Sequence, residues 1–512
     1  MMTGRRLVIL TGVLLTGMGV VARGQGGERP VLVVNEDNSH FFGSRLPEQM
    51  NLAGLHQFVD QYADSAVTHL FLCTNAMRAN VRSKVRDAIW EPVKGKPSPG
   101  RWPANAKLLH EKGLDPYVVW IARAREKGIS PWVSMRMNDL HDVPKPDSYM
   151  HDTFWRKHPE LWRVPNNKGG AWTNWALNYA HKEVREYQMA FVKELLERYD
   201  PDGLELDWMR FGHHLTPGKE QAEAPLLTEF VREVRALVQE WSKKRGHPIL
   251  LAVRVPAHPD AALGLGMDGV TWAKEDLVDW LVPCPFWTST DFDIPVELWT
   301  ERLGKADVRI TPGIEHNARP WPSGKPVAND LASLAGFAAS GWQRGATGMY
   351  LFNWMDSGTR PVPASAYQTL VKRGLSQAVA LAGVRRHPVC FRDTVPAGFP
   401  RDVALPITGK DGGSCRVHIG PVPTRGKAWV IAGLGGSQTL DGAAFRATVN
   451  GKETQSTMDL PSPAKLGGAS RRGLQFLVPL SALVAGHNTI RLTPQPGSEA
   501  EKVVWVELLL EP

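Results

Sequence analysis

The chain has 512 residues, 43% of them hydrophobic and 22% charged, too apolar for a disordered chain and long enough for two or three domains. A formal charge of +8 arises from 60 Lys and Arg against 52 Asp and Glu, but no Lys/Arg-rich run marks a nucleic-acid patch, so no nucleic-acid partner is expected. Four cysteines exclude a disulfide scaffold, whereas 19 Trp against 8 Tyr is a surplus that asks for a cause.

At the start of the chain, Arg5 and Arg6 precede a mostly apolar stretch from Leu7 to Val21, followed by Ala22-Arg23-Gly24 with small residues at alternate positions. This pattern predicts a signal peptide over residues 1–24, cleaved after Gly24. A membrane anchor is the weaker reading, because the stretch is short and broken by Thr11, Gly12, Thr16 and Gly17. Export gives a secreted or periplasmic protein with no membrane attachment after cleavage, in a compartment where Cys390 and Cys415 could pair. Cys73 and Cys284 lie in apolar strand-like runs and read as inert core thiols.

From residue 30 onward, eight short β-rich runs appear: Val31–Asn35, His69–Cys73, Ser130–Met137, Gly203–Trp208, Ile249–Val255, Trp280–Pro283, Val308–Ile314 and Met349–Trp354. Between them lie stretches with helical periodicity, such as Pro116–Lys127, His181–Tyr199, Pro225–Gly246 and Asp330–Arg344. Asp115 is a plausible N-cap for the first, with Pro116 at its first position. Eight strand–helix units predict an α/β fold, a (β/α)₈ TIM barrel over residues 25–385. The doubly wound alternative lacks a Gly-rich phosphate loop after its first strand.

Residues 386–512 are rich in Gly, Pro, Ser and Thr, with strand signals at Ala428–Ile431, Phe445–Val449, Leu474–Val478, Thr489–Leu492 and Val503–Leu509. They predict a separable β-sandwich accessory domain, with a tight hairpin turn at Asn450-Gly451. Val478-Pro479-Leu480 leading to Gly486-His487-Asn488-Thr489-Ile490 resembles jelly-roll domains appended to carbohydrate enzymes; a structural module capping the barrel is the alternative.

Chemistry in such a barrel belongs where the strands end at their C-terminal side. In Asp202-Gly203-Leu204-Glu205-Leu206-Asp207-Trp208-Met209-Arg210-Phe211, period-two alternation sets Glu205 and Asp207 on one face, the barrel interior, and Leu204 and Leu206 on the other. Inward acids are costly unless paired or functional. Asp207, nearer the strand end, is expected to function, and Glu205 to pair with an Arg such as Arg254. Other strand ends carry Asn35-Glu36-Asp37, Arg136 with Asp139 and His141, and Asn353-Trp354-Met355-Asp356. The loop from Phe154 to Tyr179 holds Trp155, Trp162, Trp172 and Trp175, while Trp208, Trp287 and Trp354 sit at strand ends; exposed rings there would suit the CH faces of sugars. His213-His214 is a poor zinc site, since adjacent histidines point apart and no Cys/His spacing follows. No metal or cofactor is expected.

The fourth strand, with Ala176-Leu177-Asn178-Tyr179-Ala180-His181-Lys182-Glu183-Val184-Arg185 ahead of the helix that feeds it, resembles (β/α)₈ glycoside hydrolases of the family 10-like glycosyl hydrolase group. It is also similar to the fourth strand of family 18 chitinases, Asp-Gly-x-Asp-x-Asp-x-Glu: Asp202, Glu205 and Asp207 take acidic positions, but Met209 stands where the catalytic Glu would be, and there is no Asn-Glu-Pro. The resemblance implies a hydrolase of O-glycosidic bonds in an oligo- or polysaccharide, using two carboxyl groups across the scissile bond. Asp207 and Glu315, from Arg309-Ile310-Thr311-Pro312-Gly313-Ile314-Glu315-His316, are the expected pair, with Asp139, Glu36, Asp37 and Asp356 in reserve. Glu36, Asp37, Arg136, Asp139, Glu205 and Arg254 are expected to bind substrate, as are Trp208, Arg210, Asn353, Trp354 and Asp356, with Trp172 and Trp175 from the loop. A non-catalytic carbohydrate-binding barrel, which Met209 would allow, and a metal-dependent hydrolase are the alternatives. The oligomeric state is left open.

Overall fold

The computed structural model describes residues 29–37, 39–286, 289–356, 364–392, 403–436, 440, 442–455, 457–460 and 466–512. The expected signal peptide, Trp287 and the interval 393–402 lie outside them. Nine short strands form one all-parallel sheet: β1 (Val31–Glu36), β2 (His69–Cys73), β3 (Ser130–Arg136), β4 (Gly203–Asp207), β5 (Leu250–Pro256), β6 (Trp280–Cys284), β7 (Arg309–Ile310), β8 (Gly313–Ile314) and, after a small antiparallel pair β9 (Asn317–Ala318) and β10 (Val327–Ala328), β11 (Gly348–Leu351). Their order is β7-β6-β5-β4-β3-β2-β1-β11-β8.

The two edges of this sheet are consecutive pieces of chain. β7 pairs with β6 and β8 with β11, and only Thr311 and Pro312 separate them. The sequence predicts one strand over Val308–Ile314; Pro312, with no N–H for a ladder, splits it. Thr311 N–H still bonds to Leu281 O at 3.0 Å on one side, and Pro312 O accepts from Tyr350 N at 3.2 Å on the other. The sheet therefore curls until its ends meet.

Curling gives each strand an inner and an outer face. Leu32, Val34, Leu204 and Leu206 belong to the large apolar cluster shared with the helices, while Val33, Phe71, Trp132, Trp280 and Tyr350 form a separate inner cluster. Phe71 stacks on Trp132 at 4.6 Å and Trp280 meets Trp132 edge-on at 5.3 Å. Gly203 sits where a Cβ would stand 2.4 Å from the Trp132 ring, so β4 opens with the only residue type that fits there. Part of the tryptophan surplus is thus the floor of the sheet.

The helices follow their local signals. Pro116–Glu126 begins with the Asp115 carboxylate accepting from Tyr117 N at 3.1 Å and Pro116 in the first turn. Glu220–Arg245 starts five residues before the expected Pro225, which falls in its second turn and removes one early hydrogen bond. Acids open that helix, three basic residues close it, and Gly246 caps it with φ 77°.

The C-terminal strands are β12 (Arg385–Pro388), β13 (Gly413–His418), β14 (Lys427–Gly435), β15 (Phe445–Val449), β16 (Lys452–Glu453), β17 (Thr457–Asp459), β18 (Arg472–Val478), β19 (His487–Pro494) and β20 (Lys502–Glu511). They make two antiparallel sheets, β12-β20-β14-β18-β17 and β13-β19-β15-β16. Val430, Phe476 and Leu508 of the first share an apolar cluster with Val449, Ile490 and Leu492 of the second. Asn450 (φ 50°) and Gly451 (φ 77°) make the tight turn between β15 and β16. Cys390 and Cys415 are free thiols, not a pair. Cys390 lies against Ser289 and Arg319, whereas the Cys415 thiol points at Ile490 O, 3.8 Å away.

The antiparallel sheets press on helix Leu331–Gln343, which is buried from Ser333 through Gly341. A Cβ on Gly336 would lie 2.1 Å from Arg386 O, and one on Gly420 would lie 2.5 Å from Ala339 O. The N-cap acid Asp330 pairs with Arg386 at 2.7 Å, and Arg386 also reaches Glu507 at 2.7 Å. Asp293, in the loop after β6, holds Arg344, Arg392 (3.0 Å), Arg416 (2.7 Å) and His487 (2.8 Å). Among the described residues, no helix is long and apolar enough to cross a membrane.

Candidate functional site

Glu205 demonstrates the curl chemically. It lies on β4, yet it accepts from Ser134 Oγ on neighbouring β3, from Asn35 Nδ2 on β1 at 3.4 Å and from Tyr350 OH on β11 at 2.8 Å. It is fully buried. Burial and then the Asp207 charge raise its carboxyl to about 7, against the opposing pull of Arg254. Asp207, one inward position nearer the strand end, is the acid that holds the arginine: Arg254 Nε stands 3.2 Å from its Oδ1, which also accepts from Met209 N at 3.0 Å. The expected pairing of Arg254 with Glu205 therefore passes to Asp207. Asp207 Oδ2 has no hydrogen bond among the described residues.

Glu315 directly follows β8, so it lies at the same C-terminal end of the parallel sheet as Asp207. It is buried; Oε1 accepts from His316 N at 3.0 Å and contacts His316 Nδ1, and Oε2 accepts from Asn353 Nδ2 at 2.8 Å. Asn353 follows β11 with φ 60°, a backbone state that Asn tolerates better than most residues. No hydrogen bond or ion pair joins Asp207 to Glu315 among the described residues. The Arg254 guanidinium reaches across from β5 to the Phe352 ring at 3.8 Å, beside Asn353 in the chain.

Arg136, at the end of β3, bridges two acids. Its Nη2 donates to Asp37 Oδ2 at 2.7 Å and its Nη1 to Asp139 Oδ2 at 2.9 Å. Ser39 N and Oγ cover the other oxygen of Asp37, and His141 Nδ1 stands 2.8 Å from Asp139 Oδ1. Burial alone would raise both acids; Arg136 and Arg210 at Asp37, and His141 and Arg136 at Asp139, outweigh it and hold both well below the usual range. They are fixed anions, not proton donors. Arg210 follows β4, where the Arg210–Phe211 peptide is cis, with its guanidinium 5.7 Å from the Phe211 ring and 5.6 Å from the Phe352 ring.

Glu36 and Asp356 are not brought to this mouth. Glu36 shares the outward parity of Leu32 and Val34, and His40 clamps the two acids from the helix side, with Nδ1 2.5 Å from Glu36 and Nε2 3.2 Å from Asp356. Arg45 and Gln61 (2.7 Å) also hold Asp356. Burial would depress His40, but Glu36 and Asp356 raise it to about 9.

The tryptophans divide by exposure. Trp208 packs among Tyr179, His214, Phe230 and Trp272, outside the sheet, and Trp354 is buried as well; neither offers a face to a ligand. Trp155 and Trp162 stack at 4.6 Å in the core, and Trp175 is half-buried, its carbonyl accepting from Trp155 Nε1 at 2.8 Å. Trp172 is 37% exposed. It stacks on Phe286 at 5.8 Å and meets Phe211 edge-on at 5.4 Å, which places this part of the long loop over the end of β4. Phe286, just after β6, escaped the sequence reading; an aromatic beyond a strand end was its only signal. His214 donates to or accepts from no metal-type cluster: its Nε2 lies 2.7 Å from Trp208 O, and burial pulls both His213 and His214 down to about 3. No group of three or more metal-type side chains occurs among the described residues.

No family model matches the chain, and no curated protein matches it. Among solved structures it is similar to a cycloisomaltooligosaccharide glucanotransferase from Paenibacillus sp., at 11% identity over 93% of this chain and 57% of that one, with a TM-score of 0.33. It is also similar to α-L-fucosidase isoenzyme 2 from Paenibacillus thiaminolyticus, at 12% identity over 67% and 48%, TM-score 0.43. A chitinase from Chromobacterium violaceum matches at 12% identity over 68% and 100%, TM-score 0.37. The chain spans about half the length of the first two.

Proposed function

We propose that the curled sheet is a (β/α)₈ barrel, over residues 25–385, with a β-sandwich of residues 386–512 packed against it, and that the protein is a secreted glycoside hydrolase related to the family 10-like group. The observation that carries this reading is the pair Asp207 and Glu315. Both are buried carboxyl groups at the same end of the parallel sheet, each oriented by fixed neighbours, below an aromatic wall that exposes Trp172. Sugars offer hydroxyl edges to such acids and CH faces to such rings.

Arg254 Nε orients Asp207 through Oδ1, and among the described residues Oδ2 is left without a protein donor and so open to a substrate carbon or a water, which gives Asp207 the role of nucleophile or water base. Glu315 takes the role of proton donor to the leaving oxygen. Glu205, too deep to meet a substrate, positions the floor beneath Asp207 through Ser134 and Tyr350. Assay of the purified protein against a panel of oligo- and polysaccharides tests the reading: Asp207→Asn and Glu315→Gln should each abolish turnover while leaving binding measurable. A specific observation favours one rival. Met209, at the position of the chitinase acid, is buried and cannot donate a proton, so a wild type that binds a glycan and cleaves none would be a carbohydrate-binding barrel.

A further inference from the structure

Two cations in the mouth have donors that the protein leaves unused. Arg254 is fully buried; among the described residues neither Nη1 nor Nη2 has a nitrogen or oxygen partner, the neutral Cys284 thiol lies beside it, and its Nε approaches one acid, Asp207. Arg210 is 8% exposed and makes no hydrogen bond and no ion pair among the described residues, with Nε buried and unpartnered. The acids nearest Arg210 are already taken: Arg136 occupies one oxygen of Asp37 and one of Asp139, while Ser39 and His141 occupy the others. A guanidinium carries five N–H donors and stays charged, so burying one without a counter-group is costly unless a ligand supplies it. Burial, and then the neighbouring Arg136 charge, pull Arg210 down to about 10, which still leaves it protonated at neutral pH.

The position of these cations says what kind of ligand. Both guanidiniums approach the Phe352 ring, Arg254 at 3.8 Å and Arg210 at 5.6 Å, and Arg210 also lies 5.7 Å from Phe211, the ring against which exposed Trp172 packs. An acidic group entering beneath Trp172 would meet Arg210 first, with the covered Arg254 adding its field from behind. We propose that Arg210, backed by Arg254, binds the acidic substituent of an anionic sugar unit, a uronate carboxylate or a sulfate ester, in a subsite next to Asp207. The planar fork of arginine matches either group through two parallel hydrogen bonds. This rests on the mouth being a sugar site and adds the class of sugar.

The test is calorimetric titration of the full-length protein with methyl β-glucuronide, glucose 6-sulfate and the neutral methyl β-glucoside. At least one anion should bind about tenfold or more tightly than the neutral sugar, the scale of one charge-assisted hydrogen bond. Preference for the glucuronide alone assigns the site to a carboxylate, and preference for the sulfate alone assigns it to a sulfate ester. Arg210→Gln should erase the preference and Arg210→Lys should keep part of it; if the Gln variant does not fold, the Lys variant and the loss of wild-type preference in high salt carry the test. Equal binding of the three ligands, or an undiminished preference in a folded Arg210→Gln, overturns the proposal. Failure of the hydrolase reading has a different signature, anion preference without cleavage of any glycan, whereas cleavage of neutral glycans without anion preference removes only the subsite.

Discussion

Replacing Glu205 by Gln removes a proton equilibrium from the floor of the site while keeping the shape of the side chain. In the folded protein the carboxyl of Glu205 is raised from an ordinary 4.5 to about 7, first by complete burial and then by Asp207. The unfolded chain releases this proton near pH 4.5, and the folded chain keeps it until about pH 7. The folded state thus binds more protons within that window, so its stability is full below pH 4.5, falls as pH rises to about 7, and is level beyond. At about 1.4 kcal/mol per pH unit, the loss across the window is on the order of 3 kcal/mol. Gln cannot titrate, and the hydroxyls of Ser134 and Tyr350 can rotate to serve its amide. Unfolding of wild type and Glu205→Gln, followed from pH 4.5 to pH 8, should show the wild type losing about 3 kcal/mol relative to the variant, with titrating groups remote from Glu205 cancelling in the difference. Parallel pH profiles would refute the argument, because they would mean that Glu205 ionises in the folded protein as easily as in water.

Other perturbations test neighbouring claims. Asp207→Asn removes the acid in ion-pair contact with buried Arg254 and should cost about 3–5 kcal/mol of stability, as breaking a buried pair does; adding Arg254→Met should recover part of that loss in a double-mutant cycle. Trp172→Ala should leave the melting temperature nearly unchanged but weaken sugar binding, whereas Trp155→Ala, in the core stack, should cost about 3–5 kcal/mol with little direct effect on binding; a large stability loss at Trp172 would return that ring to the core. A thiol reagent should count four free cysteines in the denatured chain and react slowly with the native one, because burial pushes all four thiols up to about 12; fewer than four would reveal a disulfide.

Alternation along β4 made the inward acids legible, since Leu204 and Leu206 could face only the helices and Glu205 and Asp207 only the other way. At Glu36 and Asp356 the sequence was read only for a place at a strand end; Glu36 keeps the outward parity of Leu32 and Val34 along β1, and His40, four residues later, holds both acids on the helix side. Arg254 was the right cation paired with the wrong acid: both carboxylates point inward, and two residues of strand rise separate the one it reaches from the one it does not. Tryptophan identity predicted burial better than function. Trp132, Trp280 and Trp208 fill space inside or around the sheet, and only the exposure of Trp172, a property of the folded loop, distinguishes a ring that a ligand can touch.

The helix Leu331–Gln343 is covered from two sides at once. Its Gly, Ala and Ser residues let the parallel sheet approach from one side and the backbone at Arg386 and Gly420 from the other. A helix on the rim of such a sheet normally keeps one wet face, and this one has none through nine successive residues. Melting the C-terminal sheets would therefore hydrate a face with few charges to present to water, and the parallel sheet would lose its packing in the same event. The expected calorimetric trace is a single cooperative transition, not two, so that a destabilising change near Trp505 would lower the temperature at which Asp207 loses its geometry.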